Sequence, residues 1–210
     1  MNETFSPDAI RAHALPLMAR SLESCRRLLA AAETRMPALP GTQAQLLASR
    51  LAPDMLCLAH QVQVLADSLT GACALLCGDV ASPCAGWVFN RGDEAALGAP
   101  DRSVGESIAR VDAALVRFHA VSPATPMADP GAALSVARPG HVRHFVVDDF
   151  VWRYVLPNAG FHVTMVHALL RAQGVPIGKA DFEGTPVYTV DSEPAAAHEM
   201  SNTPRPIRVA

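Results

Sequence analysis

The chain has 210 residues, half of them hydrophobic and 18% charged, and its 17 basic and 20 acidic side chains give a net charge of −3. That composition suits one packed domain, placed here at residues 1–184, and does not suit a disordered chain. It shows no basic stripe, no signal-like start and no apolar run of the roughly 18 residues a membrane helix needs, so the expectation is a cytoplasmic protein that binds neither nucleic acid nor membrane.

The first element is a helix from about Asp8 to Arg35. Ser6 can cap it, with Pro7 at its first position. Ile10, Ala14, Leu17, Ser21, Cys25, Leu28 and Ala32 recur at three- and four-residue spacing, and Pro16 should bend the helix near its start. Met36 to Gly41 is a break, and a short helix over about Thr42–Ser49 follows. In the next helix Leu51, Met55, Leu58, Val62, Leu65, Leu69, Ala72 and Leu76 repeat every 3.5 residues on average. That is the seam of a bundle helix. Residues 78–100 are rich in Gly, Pro and Asp and read as a loop packed over the bundle. Arg91-Gly92-Asp93 within them reads as a turn.

A third helix spans about Ser103 to Ala120, with Val104, Ile108, Val111, Leu115 and Phe118 inward. Leu134–Ala137 and Val142–Val147 flank Pro139-Gly140 and predict a small β-hairpin. Asp148 or Asp149 can cap a fourth helix over about 149–173, which Gly174 and Pro176 stop, with Lys179 favouring its negative end. From about 185 the chain loses its apolar period, so 185–210 is expected to be an extended tail. These elements give an all-α, antiparallel four-helix bundle with a hairpin between helices 3 and 4.

The five cysteines, Cys25, Cys57, Cys73, Cys77 and Cys84, include no Cys-x-x-Cys pair. Cys73 and Cys77 share a helix face. A zinc or redox pair there competes with two small buried hydrophobes.

On the last helix Val151, Val155, Asn158, His162, Met165 and Leu169 form a seam, which points an amide and an imidazole inward. His167, about 140° further round, should face away. His60 falls on the outer side of its helix. Asp54 and Gln61 flank the second seam as i and i+7, and Tyr154 lies one turn before Asn158. Asp54, Gln61, Tyr154, Asn158 and His162 therefore form a candidate polar cluster. Its members either satisfy one another and fix the register, or line a pocket with His162 as acid–base group or lone imidazole ligand and the others as ligand-binding groups.

Two stretches carry a resemblance. Arg50-Leu-Ala-Pro-Asp-Met-Leu with Gln61-Val-Gln63 is one. Leu156-Pro-Asn, Phe161-His-Val-Thr and Gly174-Val-Pro-Ile-Gly-Lys with Asp181-Phe182 is the other. Together they resemble a DinB-like (YfiT-like) family described as a domain of unknown function, over about residues 9–184. The resemblance implies a DinB-like four-helix bundle, commonly a homodimer. In the wider superfamily it implies transferases and isomerases that use small thiols and hold a divalent metal with three histidines. His162 matches one ligand of the last-helix pair. Val166 stands at the i+4 position of the second, and neither His167 nor His60 sits where a ligand is expected. The expectation is a small-molecule pocket protein, of isomerase or transferase type, centred on His162 without a metal. One alternative is a zinc- or nickel-dependent thiol transferase. Another is a dimeric binding or stress module without catalysis.

Overall fold

The computed structural model describes residues 6–35, 41–82, 84–85, 88–89, 94–138 and 140–189. The Arg91-Gly92-Asp93 triplet, Trp87, His198 and the chain beyond 189 lie outside these.

Helix α1 covers 7–35. Ser6 Oγ accepts the Ala9 N–H at 3.2 Å, and Pro7 opens the helix where its missing N–H costs nothing. Residues Ile10–Ala14 wind as a wider π turn, in which the Leu15 N–H reaches back to the Ile10 carbonyl. Pro16 follows at once. Its ring would press on the carbonyl four residues earlier, and a wide turn relieves that contact. The extra residue in this turn displaces the buried stripe. Met18 and Leu22 are fully buried where the regular count put Leu17 and Ser21, and Leu17 is 45% exposed.

After the short helix α2, Gln43–Leu47, capped by a Thr42–Gln45 box, the chain turns. The second bundle helix, α3, begins at Leu58 and runs to Leu76. The sequence expectation started it near Leu51, which instead is 45% exposed. Residues 51–57 form turns that other groups fasten: the Leu58 N–H donates to the Ser49 carbonyl at 3.0 Å, and Arg50 Nη1 donates to the Met55 carbonyl. Pro53 favours that arrangement over helix interior. From Leu58 onward the seam is as expected, with Leu58, Val62, Leu65, Leu69, Ala72 and Leu76 all fully buried.

The outer face of α3 is buried too. The described parts of 78–97 lie across it. Phe89 N–H donates to Ser68 Oγ at 2.7 Å, and Gln63 Nε2 donates to the Leu97 carbonyl at 2.7 Å. Gly71 lets the strap approach, since a Cβ there would collide with the Cys84 carbonyl. This cover buries the outer side of the helix on which His60 stands: it is 5% exposed. Heptad position reports distance from the bundle axis and is blind to a loop laid over the far face.

Helix α4, Val104–His119, is capped by Ser103 Oγ on the Glu106 N–H. The hairpin pairs β1, Ala133–Arg138, with β2, His141–Val146, antiparallel, and Gly140 supplies the positive φ of its turn. Helix α5 covers 147–172. Val146, rather than Asp148 or Asp149, stands at its cap. It repeats the device of α1: a π turn, Phe150–Val155, directly precedes Pro157 within the helix. The seam again shifts. Val155, Ala159, His162, Val163 and Val166 are buried, while Asn158 and Met165 sit at the edge. The helix ends in a Schellman motif, with Val175 N–H to the Leu170 carbonyl, Gly174 N–H to the Arg171 carbonyl and Gly174 at φ +85°.

Lys179 does not face that helix end. It opens a short helix α6, Lys179–Glu183, and pairs with Glu183 at 3.1 Å. Helix α6 docks on α1 through Ser24 Oγ and Arg20 Nη2, which donate to the Phe182 and Glu183 carbonyls at 2.9 and 2.8 Å. Helices α1 and α3 each pack against both α4 and α5, which makes the antiparallel four-helix bundle. No described helix is long and apolar enough to cross a membrane.

Candidate functional site

A cleft of about 660 Å³ opens between the N-terminal half of α3, the middle of α5, β2 and the strap. Asp54, Gln61, Tyr154, Asn158 and His162 all line it. They share the cleft without forming a single network, and they do so by a route the helical count did not anticipate: Asp54 projects from the turn before α3 and is exposed.

His162 is 8% exposed. Its Nδ1 lies 2.7 Å from Gln61 Oε1, and Gln61 is itself 2% exposed. Gln61 Nε2 faces the Leu56 carbonyl at 3.4 Å, which turns the amide oxygen toward the imidazole. Nδ1 therefore carries the hydrogen of this bond. A neutral ring in that tautomer holds its lone pair on Nε2. Phe89 stacks on the ring at 5.5 Å and 12°, and Phe161 meets it edge-on at 5.3 Å. Two aromatic walls and one amide thus fix its plane.

Tyr154 belongs to a second set of contacts. Its hydroxyl donates toward the Val88 and Phe89 carbonyls at 3.2 and 3.3 Å and accepts from Arg143 Nη1 at 2.7 Å. Phe89 holds φ +46°, a left-handed conformation that costs a non-glycine residue on the order of 1 kcal/mol. The Ser68 hydroxyl, the Tyr154 hydroxyl and the His162 ring all hold it there. Asn158 Nδ2 donates to the Tyr154 carbonyl at 2.7 Å, so part of its amide serves its own helix.

Other histidines stand apart. His167 is half-buried against Phe182, 6.0 Å away, on the side of α5 away from the cleft. His13, His119, His141 and His144 are exposed. His60 joins a second group, whose Glu94 also lines the cleft. Cys57, His60 and Glu94 each bring a donor atom within 4.8 Å of the others, the one such trio among the described residues. Glu94 is already committed, however. Arg50 grips both its oxygens at 2.9 and 2.8 Å, and His60 Nδ1 approaches at 2.5 Å. The Arg50 hydrogen bonds, aided by His60, pull the Glu94 carboxyl down to about 2. His60 Nε2 faces the Gly98 carbonyl at 3.3 Å. A metal there would have to displace a guanidinium.

The superfamily's three-histidine arrangement does not fit the main cleft either. Val166, fully buried in the core, fills the place of the second last-helix imidazole, and Gln61 meets His162 from α3 with an amide.

Cys73 and Cys77 are neighbouring free thiols. A hydrogen bond from Cys73 lowers the Cys77 thiol to about 7 and raises that of Cys73. Cys77 nevertheless caps the C-terminus of α3, whose carbonyls disfavour a thiolate. Burial pushes Cys25 up to about 12. A second cavity, about 510 Å³, lies between α3 and α4. Its arginines are neutralised: Arg110 by Asp101 at 2.8 Å, Arg117 by Asp79 at 3.5 Å.

The helical count missed Phe89, Phe161, Glu94 and Arg143. Arg143 sits in the run His141-Val-Arg-His144, where alternation gives two faces and no sign of which meets the bundle.

A family model described as "Domain of unknown function (DUF1993)" matches residues 12–183. A solved structure of a DinB family member protein from Shewanella denitrificans is similar in fold, with a TM-score of 0.69 at 22% identity, covering 88% of this chain and 97% of that one. No curated protein matches the sequence.

Proposed function

The chain belongs to the DUF1993 family of DinB-like helical bundles, and on that premise we propose that it binds a small organic molecule in the His162 cleft, with the imidazole as acid–base group. The observation that carries this reading is the seating of His162. Gln61 fixes the Nδ1 hydrogen, two aromatic rings fix the plane, and the ring borders a cleft of a size ordinary for metabolite sites. A group held so firmly beside a cavity suits a role in proton transfer, as an isomerase or a transferase requires. Asn158 and Tyr154 orient the ligand from α5, and Asp54 and Gln61 approach from the α3 side.

The chemistry of the donor set disfavours the zinc- or nickel-dependent alternative at this cleft, where one imidazole of three is present. A homodimer is part of the proposal, and a monomer mass by light scattering at micromolar protein would remove it.

The test is a screen of neutral fragments by NMR, following the His162 ring protons. Fragments that shift those resonances, and that His162→Ala no longer binds, are the expected result. If no fragment reaches His162 and the variant merely melts earlier, the imidazole is structural.

A further inference from the structure

Resting on the pocket reading above, we propose that the cleft's ligand is an organic carboxylate with an apolar body, and that Arg143 is the residue that anchors its carboxylate.

The charges around the cleft single Arg143 out. Glu94 is neutralised by Arg50. Asp54, the other acid on the wall, is exposed to solvent. Arg143 is half-buried and lines the same cleft as His162, yet among the described residues no carboxylate lies within salt-bridge distance of it. A cation on a cleft wall, with no counter-charge among the described residues, is a place for an anion to bind.

The guanidinium is also held in advance. Nη1 donates to the Tyr154 hydroxyl at 2.7 Å, and the Arg143 Cζ lies 5.8 Å from the Tyr154 ring centroid. The Tyr154 hydroxyl must accept from Arg143, because its own hydrogen is directed to the Val88 and Phe89 carbonyls. One corner of the fork is thereby fixed by a neutral group, and the remaining N–H donors keep their full charge for a ligand. Such pre-organisation lowers the ordering cost of capture.

A carboxylate suits this site better than a phosphate. A dianion calls for several donors, and among the described residues the cleft offers one cation without a carboxylate partner. The other walls are apolar, with Met55, Leu56, Val64, Leu97 and Phe161 beside the polar groups. A molecule with its carboxylate on Arg143 lays its body along these side chains toward His162 and Asn158.

The experiment compares 4-phenylbutyrate with its neutral isostere 4-phenylbutyramide on the full chain. It uses calorimetry for affinity and the His162 ring protons for location. The acid is expected to bind at least about ten-fold more tightly than the amide, one charge-assisted hydrogen bond's worth. Arg143→Gln should abolish that preference, and Arg143→Lys should restore part of it. The hairpin position is half-exposed, so both variants should fold, and their melting temperatures check this. Equal binding of acid and amide, both shifting His162, would overturn the anchor and leave the pocket standing. An acid preference that survives Arg143→Gln would also overturn it. If neither compound shifts His162 while neutral fragments do, the carboxylate class is wrong. If nothing shifts His162, the pocket reading falls and the anchor with it.

Discussion

Two polar groups of similar composition meet the first turns of α3, and Glu94 of one also lines the cleft of the other. Arg50, Cys57, His60 and Glu94 form one, and Gln61, Tyr154, Asn158, His162 and Arg143 form the other. The first is closed on itself. The Glu94 carboxylate is held by a guanidinium, and both His60 nitrogens face acceptors. The second stands on the wall of a cleft. Gln61 and Tyr154 brace His162 and Arg143, and the braced groups border a cleft. A closed cluster fastens a strap to a helix. One on the wall of a cleft can meet a ligand. A tally of titratable side chains would score the two alike, and what separates them is that His162 lines the cleft and His60 does not.

The strongest way to break this contrast is Gly71→Ala. Its methyl would strike the Cys84 backbone and lift the strap that both clusters share. The expected cost is about 3 kcal/mol by chemical denaturation, at the upper end for overpacking. It should be accompanied by loss of the His162 ring's stacked-shift signature, since Phe89 moves with the strap. An unchanged midpoint would mean the strap shifts freely.

Next in size is Glu94→Gln, which should cost about 1 kcal/mol, discounted because the pair is about a third exposed. Amide exchange should quicken over 94–98 and stay unchanged in α5. Faster exchange in α5 would show that the two clusters are coupled. The same carboxylate sets an acid limit. Its folded value, about 2, lies below the ordinary 4.5, so its stabilisation is complete above about pH 4.5. It fades as pH falls from there and is gone below about 2. Glu94→Gln should therefore flatten stability against pH in that acid window and nowhere above it. The smallest effect is expected from Asn158→Ala. Its amide supplements a helical carbonyl, so stability should change by about 0.5 kcal/mol or less, while affinity for any cleft ligand should fall measurably more.

The bundle was legible in the sequence because burial along a helix repeats. The seam of α3 from Leu58, the inward face of α4 and the hairpin between α4 and α5 all stand where the periodicity put them, although Ile108 is only partly covered. The five polar residues read as neighbours do border one cleft. Legibility stopped where the period is interrupted or overlaid. A count at 3.6 residues per turn cannot foresee that Pro16 and Pro157 are each preceded by a turn with one residue more, so it placed Leu17 inward and centred Asn158 on the seam. Nor could it see the strap, which buried His60 from the far side. Arg143 lay beyond reach for a different reason: which face of a two-stranded hairpin meets the bundle depends on the connections at its ends.

The two wide turns carry a consequence for how this chain tolerates change in length. An α-helix with one surplus residue relaxes, when that residue is deleted, to an ordinary helix with both flanks in their former phase. Removing Arg153 together with Pro157→Ala should thus leave Val151 and His162 on their present faces. The same deletion made after the proline, among residues 163–170, would rotate the following core positions by about 100°. Aligned with relatives that run straight through here, the chain would show single-residue gaps inside two core helices, at places where gaps are usually taken for alignment errors.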